Sequence, residues 1–165
     1  MEFLVYLGGT ITGATHGEAT GWRNYVSQQM PSEIICMSPM RAKDYLDGVD
    51  AKTDSEHRIL ECYEDHPLSS QRGIMARDRN DVMRADLLFF NLMDNGNRVS
   101  IGSVIEVGWG DMLRKPIVIV MDKANLHNHA MVREAAGFVV DNLDEAIWIT
   151  KAVLLPQLRA RGQSI

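Results

Sequence analysis

Short apolar runs alternate along this chain with longer stretches that mix apolar and charged residues. Phe3 to Leu7, Glu33 to Met37, Asp86 to Leu92, Pro116 to Asp122 and Phe138 to Val140 read as five strands, most of them near-continuously apolar as strands covered on both faces are. Between them lie helical patterns. One starts near Gly21-Trp22-Arg23 and ends before Pro31. A second runs from Gln71 to Ala85, with Ile74, Met75, Val82 and Met83 set among Arg77, Asp78, Arg79 and Asp81, and its charged side reads as a solvated surface. A third begins near Ser100, and the last begins at Asn142 and stops or kinks at Pro156. Strands alternating with helices at this spacing predict a single α/β domain over residues 1–165, a doubly wound, flavodoxin-like parallel five-stranded sheet. Ligands of such sheets bind beyond the carboxyl ends of the strands, where the loops after strands one, three and four emerge.

The segment from Ala42 to Ser70 breaks this rhythm. It mixes Asp, Gly, Lys and His with little periodicity, and Tyr45, Leu46, Ile59, Leu60 and Tyr63 supply apolar anchors, so it reads as a loop that covers a site at the sheet edge.

Composition narrows the function. A chain of 165 residues and 18.5 kDa, 45% hydrophobic and 24% charged, suits one globular domain. Its net charge of -5 and pI near 5.5 argue against a nucleic-acid partner, which calls for a basic stripe. No apolar run approaches the length of a membrane span, and no basic segment precedes an apolar one, so a cytoplasmic protein without a membrane partner is expected. Cys36 and Cys62 lie far apart without CxxC spacing and suggest neither a disulfide framework nor a zinc site. No cofactor is implied.

The most informative stretch is Ser100 to Asp111. With a helix starting near Ser100, Gly102, Glu106 and Gly110 stand at i, i+4 and i+8 on one face, and Val104, Ile105, Val107, Met112 and Leu113 cover most of the rest. Glu106 is then a carboxylate between two residues without side chains, in a helix expected to be buried on more than one side. Either it lies on a solvated stripe, or the glycines leave a cavity over it for a ring-shaped ligand, with first-turn N–H groups beside it. In the second case it can attack a sugar carbon and form a covalent glycosyl intermediate. The loop Gly8-Gly9-Thr10-Ile11-Thr12-Gly13-Ala14-Thr15 is rich in glycine and hydroxyls suited to phosphate or sugar oxygens, but lacks the GxGxxG spacing of dinucleotide folds.

Tyr6-Leu7-Gly8-Gly9, Arg77 to Leu92 with its Arg-Asp-x-x-x-Val-x-x-Ala-Asp pattern, Ser100-x-Gly102-x-x-x-Glu106-x-Gly108 and His129-Ala130-Met131 together resemble the nucleoside 2-deoxyribosyltransferase family. That family includes the 2'-deoxynucleoside 5'-phosphate N-hydrolases. The resemblance spans most of the chain in the same order and is weakest over residues 42–70. It implies that Glu106 is the nucleophile on C1', that Tyr6 orients its carboxylate, and that Asp86 contacts the leaving base; on its own pattern Asp86 is equally a strand-opening residue.

Gly8, Gly9, Thr10, Ser100, Gly102, Asn128 and His129 are the candidate substrate-binding residues. Members acting on free nucleosides carry an acidic residue where this chain has Ser100, whereas the nucleotide hydrolases resemble it in having Ser. A hydroxyl at a helix start welcomes a 5'-phosphate that a carboxylate repels, and a plain N-cap role is compatible with this. Arg23 and Arg41 are further candidates for the phosphate. His129 falls where the hydrolases carry a residue that reaches a neighbouring subunit's phosphate, so a homodimer or higher homo-oligomer is expected. His127-Asn128-His129 also reads as a surface loop, and as a metal site it lacks a third ligand. The function expected is cleavage of the N-glycosidic bond of a 2'-deoxynucleoside or its 5'-monophosphate, with transfer to another base or to water. A nucleotide-binding sensor without turnover is the alternative, and the cost of burying an unused carboxylate weighs against it.

Overall fold

Alternate residues of each strand go to opposite sides of one sheet, and this alternation decides what faces the site. In this computed structural model, which describes residues 2–48, 66–93 and 98–157, the strands are β1 (Phe3–Gly9), β2 (Ile34–Met37), β3 (Leu87–Asn91), β4 (Ile117–Val120) and β5 (Phe138–Val140). They form a parallel sheet in the order β2-β1-β3-β4-β5, the flavodoxin-like arrangement. Helices α1 (His16–Gln29), α2 (Gln71–Arg84), α3 (Ile101–Met112), α4 (Ala130–Ala135) and α5 (Leu143–Leu154) cover it.

Tyr6, Leu88, Phe90, Ile117 and Ile119 point to one side and pack with Val82 of α2, Val107 of α3 and Val132 of α4. Val5, Leu7, Leu87, Phe89, Val118 and Val120 point to the other and pack with Val26 of α1 and Ala146, Ile147 and Leu154 of α5. Both faces are covered, which is why these strands read as apolar runs rather than as alternating patterns. The period of two also puts the Tyr6 side chain on the face that α2 and α3 cover.

Gly110 brings α3 onto the sheet, since a Cβ there would collide with Leu88. The expectation that Gly102 and Gly110 both leave space over Glu106 therefore holds only for Gly102, where a Cβ would meet nothing. Nor is α3 buried on several sides within one chain: Ile101 is 70% exposed, Met112 81% and Ile105 40%.

Helix α1 begins at His16, a turn and a half before the sequence pattern suggested. Thr15 caps it, accepting from Glu18 N–H while the Glu18 carboxylate accepts from Thr15 N–H at 2.8 Å, a capping box that offsets the helix-weakening Gly17 and Gly21. Of the long 42–70 excursion the structure describes short 3₁₀ turns at Asp44–Leu46 and Pro67–Ser69, with Leu46 buried against Ala19 and Met40. Ile59, Leu60, Cys62 and Tyr63 lie outside the described residues. Among the described residues no helix is long and apolar enough to cross a membrane.

Candidate active site

The carboxyl end of β1 opens into a cavity of about 350 Å³, within the range of small-molecule sites. Tyr6 and the Gly9 to Thr12 loop form one wall, the first turn of α3 with Glu106 a second, Ile74 and Asp78 of α2 a third, and Pro39 and the buried Lys43 complete the lining. Arg98 stands with Val99 at the mouth beside the start of α3.

Glu106 is 8% exposed, and the Tyr6 hydroxyl donates to its Oε1 at 2.9 Å. Burial pushes the Glu106 carboxyl up to about 8; the nearby Asp78 charge adds to the rise, and the Tyr6 hydrogen bond and the Arg23 charge oppose it. Asp78 is raised to about 6, again by burial, with Lys43 and Arg77 opposing. Its Oδ1 is buried without a hydrogen-bond partner. Two desolvated carboxyls that feel each other in one cavity share protons as a pair, so between about 6 and about 8 the site holds one proton between them. Tyr6 stays a neutral phenol: burial first, then the Glu106 charge, raise its pKa well above its ordinary value.

The start of α3 is held from outside the cavity. Ser100 N–H donates to His127 Nε2 at 2.7 Å, and His127 Nδ1 lies 2.9 Å from Asn125 Oδ1. With Nε2 accepting, the hydrogen is assigned to Nδ1, which donates to Asn125. Asn125 in turn donates to the Leu92 carbonyl at 2.6 Å, tying the loop after β4 to the end of β3. Burial lowers the His127 pKa, in keeping with its accepting role. Ser100 is the N-cap of α3, yet its side chain makes no capping bond; its Oγ lies 2.9 Å from Ser103 Oγ. The first turn of α3, from Ile101 to Ser103, lines the cavity.

Solved structures share this architecture. A 2-deoxyribosyltransferase from Bacillus psychrosaccharolyticus matches with a TM-score of 0.58 at 14% identity, over 87% of this chain and 90% of its own. A 2-desoxiribosyltransferase from Leishmania mexicana matches at 0.60 and 10% identity, over 93% and 99%. The fold is that of the 2-deoxyribosyltransferases. A CMP N-glycosidase from Clostridium botulinum also carries it, with a TM-score of 0.51 at 12% identity over 92% and 99% of the two chains. No protein-family model and no curated protein sequence matches the chain.

On this deoxyribosyltransferase fold the residues singled out in the sequence separate into two groups. Tyr6, Gly9, Thr10, Ser100, Gly102 and Glu106 all line the cavity. Gly9 has φ 145, and a Cβ on it would collide with the Asn91 carbonyl, so only glycine lets the loop turn there. Gly8 lies just outside, where a Cβ would strike the Phe90 ring.

Asp86 does not reach the cavity. It precedes β3 at the amino end of the sheet, is exposed, and accepts from Leu4 N–H at 2.8 Å, which is its strand-opening role. Asn128 and His129 also stay outside. Asn128 bonds the Lys123 carbonyl and Arg133, and His129 is the exposed N-cap of α4, accepting from Met131 N–H at 3.3 Å. Arg23 is 1% exposed beneath β1, where it donates to the carbonyls of Leu7, Gly9 and Ala19. Arg41 is spent on Asp81.

Four polar residues that line the cavity are not singled out by the sequence: Lys43, Asp78, Arg98 and Ser103; His127, placed by the sequence in a surface loop, is instead buried and holds the start of α3 from outside the cavity. Asp78 carried a signal, because Ile74, Asp78 and Val82 stand at i, i+4 and i+8 of α2, on the stripe that faces the core. Helix α2 is therefore not charged only toward solvent; Asp78 and Asp81 are buried. Among the described residues no group of three His, Cys, Asp or Glu side chains is placed to hold a metal ion.

Proposed function

We propose that this cavity cleaves the N-glycosidic bond of a 2'-deoxynucleoside 5'-monophosphate by two displacements at C1'. The observation that carries the reading is the Tyr6–Glu106 hydrogen bond of 2.9 Å on the wall of a cavity that also holds Asp78 and the start of α3. A buried carboxylate with one oxygen fixed by a phenol presents its other oxygen in a single direction, which is what attack on a sugar carbon requires.

The shared proton rests mainly on Glu106, whose pKa is the higher; in the productive, less populated arrangement Glu106 is ionised and Asp78 carries the proton. Glu106 forms a bond to C1' as the C1'–N bond breaks, and its electron pair leaves with the base. Asp78 gives its proton to a base nitrogen, so the base departs neutral. Water then attacks C1', Asp78 takes the water's proton, and the Glu106 carboxylate leaves to regain the Tyr6 hydrogen bond. A free base entering in place of water gives transfer instead.

Preference for the monophosphate rests on charge. Arg98, the Ser100 and Ser103 hydroxyls and the first turn of α3 stand at the mouth of the cavity with no acidic residue among them. A second copy of the chain is expected to pack on the exposed Ile101, Ile105 and Met112 face of α3, beside that mouth.

The test is to incubate matched 2'-deoxynucleosides and their 5'-monophosphates, with and without a second free base, and follow the products by chromatography. Faster release of base from the monophosphates, without base exchange, is expected. Efficient exchange between free deoxynucleosides contradicts the phosphate preference and makes the protein a transferase, whereas binding without any cleavage makes it a sensor.

A further inference from the structure

Lys43 is 4% exposed and lines the cavity, and among the described residues its amine makes no hydrogen bond or ion pair. Lysine is rarely buried unless paired, because an ammonium loses strong hydration. The protein nonetheless holds Lys43 firmly in place. Arg41, two residues earlier, grips the buried Asp81 of α2 with both guanidinium nitrogens at 2.5 and 2.9 Å. Arg77, also on α2, donates to the carbonyls of Pro39 and Arg41, and Lys43 N–H donates to the Met40 carbonyl at 3.2 Å. The loop that carries Lys43 is thus riveted to the helix that carries Asp78. Lining one cavity, the two residues form a pair of polar groups, one an amine and one a carboxyl with a buried, unpartnered oxygen.

We propose that Lys43 and Asp78 together select a nucleobase that presents a ring nitrogen beside a carbonyl oxygen, as the N7/O6 edge of hypoxanthine and guanine does. The inference rests on the reading of this cavity as a nucleotide site and adds which base it takes. An ammonium has three donors and no acceptor, and a protonated carboxyl donates one hydrogen. Two neighbouring donors match two neighbouring acceptors. Adenine offers an acceptor at N7 but a donor amino group at N6, which sets donor against donor at Lys43. A wrong partner at one such position costs roughly ten- to a hundredfold in binding.

The experiment is calorimetric titration at pH 5, where the Asp78 carboxyl holds its proton without help from Glu106, of the Glu106→Gln chain, which retains the cavity, with 2'-deoxyinosine 5'-monophosphate and 2'-deoxyadenosine 5'-monophosphate, two ligands that differ at the purine 6 position. The inosine nucleotide is expected to bind at least about tenfold more tightly. Adding Lys43→Met should abolish that ratio, weakening the inosine nucleotide and relieving the mismatch with the adenosine nucleotide. Adding Lys43→Gln should bring the ratio toward unity while both nucleotides still bind, because an amide offers a donor and an acceptor. Circular dichroism identifies a variant that has not folded, and Lys43→Gln then carries the test if Lys43→Met is lost. Equal binding of the two nucleotides, a ratio unchanged in the folded variants, or binding of neither overturns the proposal. Wild-type turnover read separately isolates the chemistry: a binding preference without cleavage supports the selection by Lys43 and overturns the glycosidase reading.

Discussion

The backbone N–H of Ser100 donates to Nε2 of His127 at 2.7 Å, so a histidine from the loop after β4 sets where the helix bearing Glu106 begins. His127 is 1% exposed and outside the cavity lining, and its effect on substrate passes through α3. Replacing it with Ala leaves the Ser100 N–H, a part-buried donor, without this partner, at a cost of about 1 kcal/mol. For His127→Ala we expect KM for a 5'-monophosphate to rise about tenfold, with a smaller change in kcat and in KM for the free nucleoside. Steady-state kinetics on the two substrates checks this; equal losses on both show that His127 does not act through the phosphate end.

The coupled carboxyls set a pH profile. Below about 6 both Asp78 and Glu106 are protonated and the nucleophile is lost; above about 8 both are ionised and the proton donor is lost. The profile of kcat/KM should therefore be bell-shaped, with limbs near those two values. Asp78→Asn should remove the bell and lower activity by about two to four orders of magnitude. In Tyr6→Phe the lost hydrogen bond no longer opposes the rise in the Glu106 pKa, so the alkaline limb should move up. A flat profile in the wild type contradicts this assignment.

Stability carries the same signature with a defined sign. The Glu106 pKa is higher in the folded protein than in the unfolded chain, so its contribution is most favourable at low pH and is lost as pH rises toward about 8. Thermal melting should show Glu106→Gln gaining a few degrees over the wild type at pH 9, and less at pH 5. Equal differences at both pH values contradict a buried, titrating Glu106.

Much of this architecture is legible in the sequence because its signals are local. Strands covered on both faces are apolar runs, and Tyr6 and Glu106 stand out for being polar within such surroundings. The start of α1 was misplaced because Gly17 and Gly21 weaken the helical pattern more visibly than the Thr15–Glu18 box supports it. Asp78 was hidden among the charges of α2, although its spacing from Ile74 and Val82 puts it on the core stripe. The placements of Lys43 and His127 depend on contacts such as Arg41–Asp81 and Ser100–His127, which join residues far apart in the chain. Asp86 illustrates the reverse error, since the resemblance assigned it to the leaving base and the register of β3 puts it at the other end of the sheet.

Assembly is the next expectation. Ile101, Ile105 and Met112 leave an apolar face on α3 that a second copy would bury. Light scattering at micromolar concentration should give at least a dimer, and Ile105→Asp together with Met112→Asp should shift it to monomer. A monomeric wild type contradicts the expected homo-oligomer.

The central claim is that Glu106 bonds to C1', and mass spectrometry tests it most directly. The protein is mixed with the 5'-monophosphate found to be cleaved, quenched in acid within one turnover, and digested. The account predicts a deoxyribose 5-phosphate adduct on the peptide containing Glu106, absent from Glu106→Ala, together with a loss of turnover of several orders of magnitude in that variant. Base release by Glu106→Ala at the wild-type rate, without an adduct in either protein, would contradict it.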